Sequence, residues 1–146
     1  MIMAIRRLVK KKKSSKLKER EKKIVGFYED VFVNGALVRA KVDTGASRSS
    51  IDSGLADFLG LGPVLGNKTV VSSHGRGMRP IVKAHVVMAG RKLNASFNIV
   101  ARHHLRYLLL IGKNILRKGF IIDPAKRLKK KKQKIIKNTR DLHYIK

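Results

Sequence analysis

The dipeptide Asn34-Gly35 stands between two runs of β-branched, aromatic and other apolar residues, 24–33 and 36–42. In that setting Asn-Gly is the strongest short-range signal for a two-residue β-hairpin, because both residues tolerate the positive φ of a type I′ turn. In the return run Leu37, Arg39 and Lys41 alternate with Val38, Ala40 and Val42, so one face is set for burial. The hairpin therefore delivers Asp43-Thr44-Gly45 at a strand end. Asp and Thr are ordinary turn residues that bond to their own backbone, but a carboxylate, a hydroxyl and a glycine at a strand end are also the parts of a catalytic loop.

The rest of the chain punctuates in the same way. Residues 50–53 offer helix N-caps, Leu55, Phe58 and Leu59 recur at helical spacing, and Gly60 stops the pattern, which predicts a helix over 53–59. Strands are expected at 68–73, at 78–88 and, after the turn Ala89-Gly90, at 91–100, where Leu93, Ala95, Phe97 and Ile99 alternate with other residues. His74-Gly75-Arg76-Gly77 reads as the turn joining the first two. The apolar run 107–112 suits a strand buried on both faces, a helix is expected at 114–118, and Pro124 closes a last strand at 119–123. Six or seven short strands with one or two short helices define an all-β chain with minor α content, folded as a small closed or sandwich-like barrel.

Charge divides the 146 residues into three parts, and the formal net charge is +26. Residues 1–23 hold eleven basic and two acidic residues, and residues 126–146 ten and one, whereas 24–125 hold fourteen and six. One folded domain over 24–125 between two basic tails is the expected organisation. Such an excess calls for a polyanion, and nucleic acid is the obvious one. The N-terminal candidates are Arg6, Arg7, Lys10, Lys11, Lys12, Lys13 and Lys16; the C-terminal ones are Lys126, Arg127, Lys129, Lys130, Lys131, Lys132 and Lys134. Apart from Tyr144 the tails carry no aromatic residue, so stacking on single strands is not indicated. Basic tails on a small domain are similar to those of ribosomal proteins, which implies rRNA and ribosomal proteins as partners. The absence of cysteine and of any long apolar run points to a cytoplasmic protein without membrane contact.

A second resemblance lies in the middle of the chain. The stretch 42–51 around Asp43-Thr44-Gly45, the glycine-rich hairpin at 73–77, and Leu109-Leu110-Ile111-Gly112-Lys113-Asn114-Ile115-Leu116 followed by Phe120-Ile121-Ile122-Asp123 resemble a retropepsin-type aspartic peptidase domain. Within that group the chain is most similar to the RimK-associated family labelled ATP-dependent zinc proteases. The resemblance spans residues 31–124. It implies a small closed acid-protease barrel, with Asp43 as the catalytic aspartate, Thr44 bracing its loop and Gly45 allowing close backbone approach. It also makes Gly112 the glycine behind the loop, and His74, Gly75, Arg76 and Gly77 the flap. Such chemistry needs two carboxylates sharing one proton, and this chain supplies one, so the resemblance implies a homodimer.

Two functions thus stand side by side. The favoured one is an RNA-bound structural protein of the ribosome that uses a retropepsin-like domain for docking; the alternative is a homodimeric aspartic endopeptidase. Lys41 and Arg48 flank Asp43 and, if close, favour its ionised form, which opposes a shared proton. His74, His85, His103, His104 and His143 show no HExxH spacing, so neither a metal nor another cofactor is expected. His103 and His104, if extended, point to opposite sides.

Overall fold

The computed structural model describes residues 21–72 and 75–144. The N-terminal cationic candidates from Arg6 to Lys16, and the flap candidate His74, lie outside the described residues. Among the described residues there are nine strands: β1 (Lys23–Val25), β2 (Tyr28–Val33), β3 (Ala36–Val42), β4 (Ser49–Asp52), β5 (Gly66–Ser72), β6 (Gly75–Met88), β7 (Arg91–Val100), β8 (Leu109–Ile111) and β9 (Phe120–Ile122). Three short helices join them, α1 (Ser53–Phe58), α2 (Lys113–Leu116) and α3 (Thr139–Tyr144).

Six strands close on themselves in the order β2-β3-β8-β4-β7-β6, with β6 pairing back to β2. The expected all-β barrel with minor α content is what the chain forms. The predicted hairpin makes the closure: Asn34 has φ 45° and Gly35 φ 85°. From that turn the Asn34 N–H donates to His85 O at 2.8 Å while Asn34 Oδ1 accepts from the His85 N–H at 2.8 Å. Alternation fills the interior with Val31, Val33, Val38, Ala40, Ile51, Val82, Val86, Phe97, Leu109 and Ile111, none more than 0 % exposed. Each of these side chains except the small Ala40 contributes about 1.5–3 kcal/mol by leaving water.

The strand expected over 24–33 is split. Gly26 breaks it: its N–H donates to Glu29 Oε1 at 2.7 Å, and a Cβ there would lie 2.6 Å from Lys126 O. β1 leaves the barrel and pairs in parallel with β9. A second difference is β4. Residues 50–53 read as helix caps, yet Ser49–Asp52 is a barrel strand between β7 and β8, and only its last residue, Asp52, caps α1. The turn at 74–77 is also shorter than expected, because Gly75, Arg76 and Gly77 already pair with Ser72, Val71 and Val70. Residues 75–80 of β6 pair with β5 alone, so β5 and this half of β6 form a hairpin standing beyond the barrel.

The C-terminal segment departs from a solvated tail. Its lysines are mostly exposed, but Ile136 is 2 % exposed, bridges in parallel to Val38, accepts from the Arg39 N–H at 2.9 Å and donates to Leu37 O at 2.8 Å. Leu142 of α3 packs against the same core. Ile136 and Leu142 thus dock a segment that is otherwise cationic. Ile136→Ala is expected to lower unfolding free energy by about 2–4 kcal/mol in a urea titration, whereas a merely solvated tail would leave the midpoint unchanged.

Candidate active site

Asp43 continues β3 beyond Val42, and its N–H donates to Ile111 O at 2.8 Å, which extends the β3–β8 pairing by one step. The chain then turns sharply. Gly45 N–H donates to Asp43 Oδ1 at 2.8 Å, and Ala46 N–H to Asp43 O at 3.3 Å, the side-chain-to-backbone closure typical of an Asp turn. Asp43 is half-buried, while Thr44 and Gly45 are exposed.

The loop rests on the start of α2. The first N–H groups of a helix lack partners within it; here Lys113 N–H donates to Ala46 O at 2.8 Å and Asn114 N–H to Ser47 O at 3.2 Å. Gly112 packs directly beneath, since a Cβ there would lie 2.8 Å from Ala46 O and 2.8 Å from the Arg48 carbonyl carbon. This is the role the resemblance assigned to Gly112. A polar chain that the sequence did not reveal fixes the arrangement. Gly112 N–H donates to Ser49 Oγ at 2.9 Å, Ser49 Oγ–H and Ser49 N–H each donate to Asn114 Oδ1 at 2.8 Å, and Asn114 Nδ2 donates to Ser96 O at 2.9 Å. Asn114 thereby ties β4, β7 and α2 behind the aspartate loop.

Arg102, another residue that sequence reasoning missed, feels the charge of Asp43. Its N–H donates to Asp52 Oδ1 at 2.7 Å and its Nε to Tyr107 O at 3.0 Å. Burial, followed by repulsion from Arg79, holds its guanidinium below the ordinary arginine range, against the opposing pull of Asp43 and Asp52. Asp43 takes part in none of the ion pairs among the described residues, and these include neither Lys41 nor Arg48. Beside the loop, Phe27 O accepts from the Val42 N–H at 2.8 Å with the Phe27 side chain 49 % exposed, and Tyr28 stacks on Tyr107 with ring centroids 5.1 Å apart.

The remaining candidates make no hydrogen bond or ion pair with Asp43 among the described residues. Gly75, Arg76 and Gly77 are exposed on the projecting hairpin. Lys126 is drawn into an ion pair with the buried Glu29 at 2.6 Å, and Lys131 lies over the Phe32 ring at 5.8 Å. Arg127, Lys129, Lys130, Lys132 and Lys134 are exposed. His103 and His104 occupy a turn rather than an extended segment, which brings their rings 5.3 Å apart edge to face instead of on opposite sides. Among the described residues no three His, Asp or Glu side chains converge as a metal site would require.

No protein-family model matches the chain, and neither does any curated protein sequence. Solved structures do match. A protein of unknown function (DUF785), Lpg0085 from Legionella pneumophila, aligns over 75 % of this chain and 98 % of its own at 20 % identity and a TM-score of 0.54. The EIAV protease in complex with the inhibitor HBY-793 aligns over 62 % of this chain and 84 % of its own at 16 % identity and a TM-score of 0.53. The fold is therefore retropepsin-like, that of the aspartic peptidases.

Asn114→Ala removes the acceptor of two buried donors on Ser49. It is expected to cost about 1–3 kcal/mol in chemical unfolding and to broaden or shift the amide signals of residues 43–49 in a 15N spectrum.

Proposed function

We propose that this chain is an aspartic endopeptidase that works as a homodimer, each subunit contributing Asp43. The observation that carries this reading is the Asp43-Thr44-Gly45 loop itself, held open at the surface by its own hydrogen bonds and backed by Gly112. In the reaction one carboxylate of the pair takes a proton from water as the water attacks the peptide carbonyl, and the other, protonated, donates to the carbonyl oxygen. Among the described residues, five other carboxylates of the chain are already committed elsewhere. Glu29, Asp30, Asp52, Asp123 and Asp141 are each engaged with a backbone N–H or a cation. A second copy answers this need. The exposed Phe27 next to the loop, and Ile24 and Ile121 side by side on the β1–β9 ribbon at 53 % and 52 % exposure, offer apolar surface for it.

With the full-length protein and an unfolded protein substrate, Asp43→Asn is expected to reduce cleavage at least about 10²-fold, and activity is expected to rise with dimer fraction in sedimentation. Undiminished cleavage by Asp43→Asn, or a fully active monomer, defeats the reading.

Charge favours a second reading, an RNA-bound protein associated with ribosomes, in which the exposed Arg127, Lys129, Lys130 and Lys132 neutralise phosphates. Its signature is co-sedimentation with ribosomes that falls steeply between 50 and 200 mM salt, roughly one unit of log–log slope per phosphate contacted. Association indifferent to salt, or none, removes it. The two readings are compatible, since a cationic segment can localise a peptidase.

A further inference from the structure

Strand register fixes a row of side chains on the outward face of the barrel. Lys41 pairs with Leu110, Leu110 with Ser50, Ser50 with Asn98 and Asn98 with Ile81. Alternation places Asp43 on this same face, two residues beyond Lys41. The far end of the row lies at the root of the projecting hairpin, where Leu65 N–H donates to Ile81 O at 2.7 Å. Although it faces outward, the middle of the row is withdrawn from solvent, with Ser50 5 % and Asn98 4 % exposed.

Asn98 Oδ1 accepts no hydrogen bond, and among the described residues it is the buried side-chain polar atom left without a partner. An unpaired buried carbonyl oxygen disfavours the folded state, and an apolar side chain of equal size would suit a barrel wall better. The nearby Asn114, by contrast, has both ends of its amide engaged. An unpaired oxygen on the face that carries Asp43 is explained if a ligand completes it.

We propose that Asn98, with Ser50 beside it, forms a polar subsite for the carboxamide side chain, Asn or Gln, of a peptide bound across this face. Two carboxamides pair reciprocally, each giving one N–H and accepting one, which a leucine side chain cannot do. With strands about 4.8 Å apart and about 7 Å between alternate residues, Asn98 lies roughly 15 Å from Asp43, so the recognised side chain falls within about four residues of the bond cut. The proposal names a substrate class for the peptidase reading, on which it rests for turnover but not for binding.

The test is Asn98→Leu, which keeps the volume and removes the amide. Melting temperature and the cleavage profile on a mixed peptide library are both measured on the full chain. Support consists of an unchanged or higher melting temperature together with a wild-type preference for Asn or Gln over Leu at one position that reverses in the variant. A fall of more than about 5 °C marks the amide as structural and overturns the proposal, as does a wild-type profile without Asn or Gln preference. If the wild type cleaves nothing, the peptidase reading fails by itself. The subsite is then decided by the 15N side-chain amide signals of Asn98, titrated with a pool of nonapeptides carrying Gln at each position in turn and a matched Leu pool. A shift with the Gln pool alone sustains the proposal; no shift, or equal shifts, overturns it.

Discussion

The three residues of β8 hold this molecule together. Leu109, Leu110 and Ile111 pair in parallel with β3 and antiparallel with β4, so a strand from late in the chain is wedged between two that flank the aspartate turn. Removing it would open the barrel and take the support from Asp43 in one step. It also explains why the strand is so apolar: Leu109 and Ile111 are fully buried, and Gly112 must follow at once because only a residue without Cβ fits under the Ala46–Arg48 backbone.

What could be read directly from the residues follows from locality. The β2–β3 hairpin, β7 and α1 are set by turn chemistry and by apolar periods within about ten residues, and they lie where those patterns put them. Asp43 and Gly112 were legible through their resemblance to a known arrangement of short motifs. β4 was not, because Ser49, Ser50 and Asp52 carry the composition of a cap. Ser49 and Asp52 can lie in a barrel wall because Asn114 Oδ1 accepts from Ser49, and the Arg102 N–H donates to Asp52, both across long sequence separations, while the first N–H groups of α1 donate to Asp52 locally. Gly26 looked like an interior strand residue for the same reason, its constraint coming from Lys126 a hundred residues away. Ile136 was hidden in a run of cations and Arg102 among other arginines and lysines, and their partners decide their meaning.

The electrostatics of the site differ from the flanking-cation picture. Among the described residues Lys41 and Arg48 form no ion pair with Asp43, whereas Arg102, on the β7–β8 connection, feels the charge of Asp43 and is itself pressed by Arg79 from the hairpin. Arg102 is thus set between two carboxylates that attract it, Asp43 and Asp52, and an arginine that repels it.

The docking of Ile136 onto β3 has a consequence in time. A chain made from its N-terminus can form the β2–β3 hairpin early, but β8 arrives some seventy residues later and Ile136 later still. Until then the aspartate turn exists without its floor and the apolar edge of β3 stays uncovered, a state open to wrong pairing. Support of the loop therefore waits until the residues up to Ile136 have been made, and a chain that stops short of them carries Asp43 without the backbone that holds its turn.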